Sequence, residues 1–145
     1  TTRVYLARIH LLAGDLEAAS REVDAAVARL AAVPQSQAWA LGVRAELLLA
    51  RGQGEAALAA ARQALTLLRG IGGTDEGEAV VYLAAGRALA ASGAVAEARQ
   101  VVSEGVQRLL ERARRITDDA WRRSFLEAIP EHAGLRALAV ALGVS

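Results

Sequence analysis

Apolar residues recur along the chain at intervals of three and four, and no stretch sustains strict alternation of apolar and polar positions. That spacing predicts helices and no strands. Successive helices are expected near residues 2–13, 15–32, 35–51 and 54–69. A pair follows within Glu78–Leu110, joined by a tight turn at Ser92-Gly93, and its second member runs on from Val95 to about Arg115. Two shorter helices follow, one starting at Thr117-Asp118-Asp119 and one opening at Pro130-Glu131 and ending at Gly143. The expectation is an all-α chain of eight helices.

The helices fall into units. Ala13-Gly14-Asp15, Arg51-Gly52-Gln53 and Ser92-Gly93-Ala94 each end an apolar run, and their glycines stand 38 and then 41 residues apart. Five residues after each glycine comes an alanine (Ala19, Ala57, Ala98), and seven before it another small residue (Ala7, Ala45, Gly86). Small residues are needed where two helices touch, and Gly86, Ala90, Ala98 and Gly105 meet that need in the third unit. A hairpin of two short helices cannot bury its apolar stripe alone, so neighbouring hairpins must stack. The units run 1–34, 35–73 and 74–116, with 117–145 as a degenerate fourth hairpin.

This order resembles the tetratricopeptide repeat, whose pattern is W-x2-L-G-x2-Y, then A-x3-F, then often P, over about 34 residues. In the third unit the matching residues are Tyr82, Ala85, Gly86, Leu89, Ala98 and Val102. In the first they are Leu6, Ala7, His10, Ala19 and Val23, with the closing proline displaced to Pro34. In the second they are Leu41, Ala45, Leu48, Ala57 and Ala61, with Arg44 standing where the family has leucine. The units are longer than usual, like the divergent repeats that accompany ATPase or kinase modules in large bacterial signalling proteins. The resemblance implies a right-handed superhelical stack, a protein–protein interaction role and a concave groove lined by the first helix of each hairpin. Carried onto this chain, the groove positions are Val4, Arg8 and Leu11, then Trp39, Glu46 and Leu49, then Leu83, Arg87 and Ala90. Trp39 is the best single candidate for a partner-contacting anchor, since large aromatic rings dominate interfaces, and the alternative is burial between units. Arg8, Glu46 and Arg87 each precede a turn glycine by six residues, so stacking should set them side by side with alternating charge.

Composition narrows the function classes. The chain is 54% hydrophobic but only 3% aromatic, so small apolar side chains carry the packing. All 17 basic residues are arginine and the net charge is +1, which argues against a dedicated nucleic-acid or membrane binder. With no cysteine, a disulfide framework and a thiolate metal site are both excluded, which fits a cytoplasmic setting. There is no methionine either, and helical periodicity begins at once, so the chain reads as a piece of a longer regulatory protein.

Candidate chemistry is sparse. His10 and His132 are the only histidines, and no zinc-protease, nucleophile-elbow, calcium-loop or phosphate-loop motif is present. Gly72-Gly73 lacks a following lysine and reads as a connector. Asp15 and Asp118 are expected helix caps, and Thr74 or Asp75 a third. No enzyme activity, cofactor or metal is expected. The chain reads as a scaffold for another protein or peptide segment. A self-association module is the first alternative. The second is anion or nucleic-acid binding through the cluster from Arg108 to Arg123, which includes Arg112, Arg114 and Arg115. Within that cluster Glu104 and Glu111 stand three or four residues from arginines and are expected to pair along the helix. Trp121, Phe125 and Ile129, spaced by four, are expected to cap the last full unit, and the alternative is an exposed aromatic patch for a partner.

Overall fold

The computed structural model describes residues 2–144, so Thr1 and Ser145, the outer bounds of the first and last units, lie outside it. Eight helices and no strand occur among the described residues: α1 (Thr2–Leu12), α2 (Leu16–Arg29), α3 (Pro34–Ala50), α4 (Gly54–Gly70), α5 (Glu78–Ala91), α6 (Val95–Arg114), α7 (Asp119–Glu127) and α8 (Pro130–Ala141). Helices α1 and α2, α3 and α4, and α5 and α6 pack as adjacent pairs.

One turn chemistry closes the first helix of each pair. Gly14, Gly52 and Gly93 have φ of 81°, 74° and 89°, a conformation open to glycine but not to most side chains. In each turn two backbone N–H groups reach back to the last helical turn. Gly14 donates to Leu11 (3.1 Å) and Asp15 to His10 (2.9 Å). Gly52 and Gln53 repeat this towards Leu49 and Leu48, as do Gly93 and Ala94 towards Ala90 and Leu89. Asp15 caps α2 by accepting from the Ala18 N–H (3.1 Å), and Pro34 opens α3, where its missing N–H costs nothing. The expected cap of α5 is different. Gly77 with φ of 83° holds that place and makes no side-chain cap, while Thr74 donates its backbone N–H to Glu78 (3.3 Å).

Small residues set the spacing within and between pairs. A methyl on Gly105 would come within 2.7 Å of Tyr82, and one on Gly86 within 2.5 Å of Val102 and 2.9 Å of Leu138. Helix α5 is apolar nearly all round because it is covered from several sides, by α3, α4, α6 and α8.

The chain's last helix takes the role expected of the aromatic stripe in α7. Leu135 (0% exposed) and Ala139 belong to the core, with Leu138 and Leu142 packed against it. Helix α7 buries none of its residues, and Trp121 is 75% exposed. What anchors α7 is polar. Asp118 caps it by accepting from the Trp121 N–H (2.9 Å), and Arg122 donates to the Ala113 and Ile116 carbonyls at the end of α6. Phe125 and Ile129 are half-buried, and the Phe125 ring lies 4.4 Å from that of His132. The cap is therefore α8, not the Trp121 stripe.

Candidate functional site

Helices α5 and α8 run in the same direction, because Glu131 at the start of α8 lies near the start of α5 while the Leu142 carbonyl accepts from Arg99 at the start of α6 (2.8 Å). That placement brings α8 within reach of α1 as well. Arg8 donates to Glu131 at 3.1 Å, and its Nε stands 3.9 Å from Glu46. The result is a charge row contributed by α1, α3, α5 and α8: Arg8, Glu46, Arg87 and Glu131. Burial pushes the Glu46 carboxyl above its ordinary value, Arg8 and Arg87 oppose that shift, and Glu131 adds to it. Arg87 is exposed and makes no hydrogen bond or ion pair among the described residues.

The other groove positions divide. Leu11, Leu49 and Ala90 are half-buried, the last two against the core. Val4, Leu83 and Trp39 are buried, so they carry packing where partner contact was expected. For Leu83 the reason is α8, whose Gly134 lies against it. For Trp39 it is register. Gly42 holds the α3 position equivalent to Val4 and Leu83, and Trp39, three residues earlier, matches Val80, which is buried too.

A recess of about 230 Å³ opens beside this row, between α1, α3, the start of α5 and the start of α8. Its walls carry Tyr5, Trp39, Phe125 and His132 together with Glu76 and Glu131. Tyr5 meets Trp39 edge to face, with ring centroids 4.7 Å apart, and donates its hydroxyl to Glu76. That hydrogen bond, with burial and the charges of Glu76 and Glu131, raises the phenol above its ordinary value. Two donors here lack acceptors among the described residues, Trp39 Nε1 and Arg8 Nε, and both are shielded from water. Buried unsatisfied donors are uncommon in folded chains and call for a reason.

Of the six arginines from 108 to 123, three are committed within the fold. Arg108 and Arg112 meet the buried Glu78 from α6, at 2.9 Å and 3.7 Å, and also bond the Gly72 and Asp75 carbonyls. Together these contacts tie the 71–77 connector to α6. Arg122 holds the end of α6 and also pairs with Asp119 (2.8 Å), which leaves Arg114, Arg115 and Arg123 unpaired among the described residues. Glu104 pairs across to Arg69 of α4 at 3.2 Å, not along its own helix, and accepts the Tyr82 hydroxyl. Burial acts to raise the Glu104 carboxyl, but these hydrogen bonds and the charges of Arg69 and Arg108 hold it below its ordinary value. Glu111 makes no ion pair among the described residues. Apart from Arg122–Asp119, every ion pair among the described residues joins two different helices or a helix and a connecting turn, because neighbouring helices lie close enough for long side chains to span.

Sequence reasoning missed Glu131 as the partner of Arg8, and Tyr5 and Glu76 as walls of the recess. The Pro130-Glu131 start of α8 was visible, but nothing local says that this helix comes to lie beside α5. Among the described residues no group of three or more His, Asp or Glu side chains is arranged to hold a metal ion, and no helix is long and apolar enough to cross a membrane. No family model matches the chain, and neither a curated protein nor a solved structure does.

Proposed function

We propose that this chain is a non-catalytic scaffold of stacked helical hairpins, of the tetratricopeptide type, that binds a protein or peptide segment within a larger bacterial regulatory protein of the cytoplasm. The carrying observation is the outer face of α1. Tyr5 and Ile9 are 51% and 59% exposed. Their register equivalents in α3, Val43 and Leu47, and in α5, Ala84 and Ala88, are all buried. In α3 and α5 those positions meet the preceding pair, as Val43 does in its cluster with Val4, Ala7, Val23 and Ala26. The face of α1 thus offers apolar side chains in a geometry that elsewhere in the same chain receives helices. Large exposed apolar patches of this kind mark interaction sites.

The same face favours self-association as the second reading, since a copy of the chain could seat one helix face on another. Peptide display against the immobilised chain tests the first reading. Enriched sequences should lose binding to an Ile9→Asp variant, and absence of any enriched sequence contradicts it. Light scattering that gives twice the monomer mass, reverting to monomer in Ile9→Asp, would favour self-association.

A further inference from the structure

We infer that the outer seam of α1 pairs with the same seam of a second copy of this chain, the two α1 helices lying antiparallel about a two-fold axis. The inference rests on the reading of that face as a place where a polypeptide docks, and it names the polypeptide.

The seam is built from Thr2, Leu6, Ile9 and Ala13, spaced by four, three and four residues. Such spacing sets side chains in one row along a helix. Ala13 keeps in line because its N–H still bonds the Ile9 carbonyl (3.0 Å). All four are exposed, as is Leu12 beside them. No charged side chain stands in the row. The two arginines of α1 are turned aside and engaged, Arg3 with Glu22 and Arg8 with Glu131.

Elsewhere in the chain the same row receives an antiparallel helix. Its equivalents in α3 and the turn after it are Ala40, Arg44, Leu47 and Arg51. Ala40 and Leu47 are buried, while Arg44 pairs with Asp24 (2.9 Å) and Arg51 with Glu17 (3.4 Å), both on α2. Glu17 lies near the start of α2 and Arg51 just past the end of α3, so the two helices run in opposite directions. In α1, leucine and alanine stand where the second unit has these arginines. A helix bearing carboxylates, as α2 does, finds no cation on the seam of α1, whereas an apolar row finds its match there.

The order of residues selects the copy. Read from either end, the row is small, large, large, small. An antiparallel two-fold centred between Ala7 and Arg8 sets Leu6 against Ile9 of the second copy and Thr2 against Ala13 of the second copy. Each contact then occurs twice, as a self-complementary interface requires. Opposite helix ends also come together, because the first turn of α1 holds Arg3 and no acid while Asp15 follows its last turn. A seam this short makes a weak pair, assembled above about 10 µM and open in dilute solution.

The chain has no cysteine, so introduced thiols report the pairing alone. Thr2→Cys and Ala13→Cys chains, one of them ¹⁵N-labelled so that mass spectrometry tells the products apart, are mixed in equal amounts. The mixture is held at about 200 µM in a glutathione redox buffer. Random collision would give as much mixed disulfide as the two homodimers together. The antiparallel seam should give the mixed product in about tenfold excess, because two copies of either position stand roughly 16 Å apart along the axis, beyond the reach of a disulfide. Sedimentation of Ile9→Asp, with no thiol present, should show association weakened about tenfold or more, since each copy would bring a carboxylate into the seam. A statistical mixture of products, or an excess of the Thr2→Cys homodimer as a parallel pairing demands, overturns the inference. If that happens while displayed peptides still bind at α1, the scaffold reading stands and the face belongs to another polypeptide. If the mixed disulfide dominates while no displayed peptide binds, the second copy is the partner of this face and the peptide reading alone falls.

Discussion

The two ends of the molecule are built from the same kind of helix pair but finished differently. At the far end, α8 lies on α5 and α6 and buries Leu135, Ala139 and His132, so the last pair has a covered face. At the near end, α1 packs inward through Val4 and Ala7, while Ile9 and Leu12 on its outer side stay exposed. The difference teaches that burial here follows neighbours, not residue type. Ile9 is more apolar than Ala88, its register equivalent in α5, yet only Ala88 is buried.

The largest expected effect comes from removing the cover. A chain ending at Arg115 lacks α7 and α8, which uncovers Leu83, Gly86 and Gly105 where α8 now packs. It should aggregate or lose cooperative melting, whereas Trp121→Ala, at a side chain 75% exposed, should change stability by no more than about 0.5 kcal/mol. A truncated chain that melts like the parent would erase the distinction between the ends.

The comparison sharpens at a single register position. Leu47 in α3 is 3% exposed and Ile9 in α1 is 59% exposed. Leu47→Ala should cost about 2–5 kcal/mol in denaturant unfolding, and Ile9→Ala no more than about 0.5 kcal/mol. Equal losses would mean that α1 is covered after all.

A smaller effect separates two carboxylates. Burial lifts Glu46 above the ordinary value of 4.5, so the native state holds that proton more tightly than the unfolded chain. Stability should fall as pH rises from the unfolded value through the folded one, and Glu46→Gln should remove that decline. Glu104 has the opposite sign. Its carboxyl is held low, so its contribution is present above the unfolded value and is lost as pH falls through the folded one. Unfolding midpoints across about pH 3–8 for Glu46→Gln and Glu104→Gln should therefore diverge from the parent in opposite directions.

Most of the pair architecture was legible because it is local. Gly14, Gly52 and Gly93 announce their turns, Asp15 and Asp118 their caps, and Gly86 and Gly105 the close approaches, all within a few residues of where they act. The register that sets Arg8 beside Glu46 could also be read, from the six residues between each and its turn glycine. What escaped was long-range. The i, i+4 spacing of Trp121, Phe125 and Ile129 looks like a buried stripe, yet α7 is held by Arg122 on α6 carbonyls and leaves Trp121 in solvent. Trp39 draws the eye as an anchor by its size, yet the groove position equivalent to Val4 and Leu83 belongs to Gly42, and Trp39 stands one turn before it while Glu46 and Leu49 keep the register. The recess itself joins Tyr5, Trp39, Glu76 and Glu131 from four separate segments, so no local pattern announces it.

Thiol labelling tests the difference between the ends most directly, since the chain has no cysteine and any introduced one is unique. Ile9→Cys, Leu47→Cys and Leu135→Cys would each be reacted with an aromatic disulfide under native conditions. Ile9→Cys should react at the rate of an unfolded peptide, and the other two only as fast as the fold opens. Rapid labelling of Leu135→Cys in a folded chain would contradict the seating of α8, and slow labelling of Ile9→Cys would contradict the open face of α1.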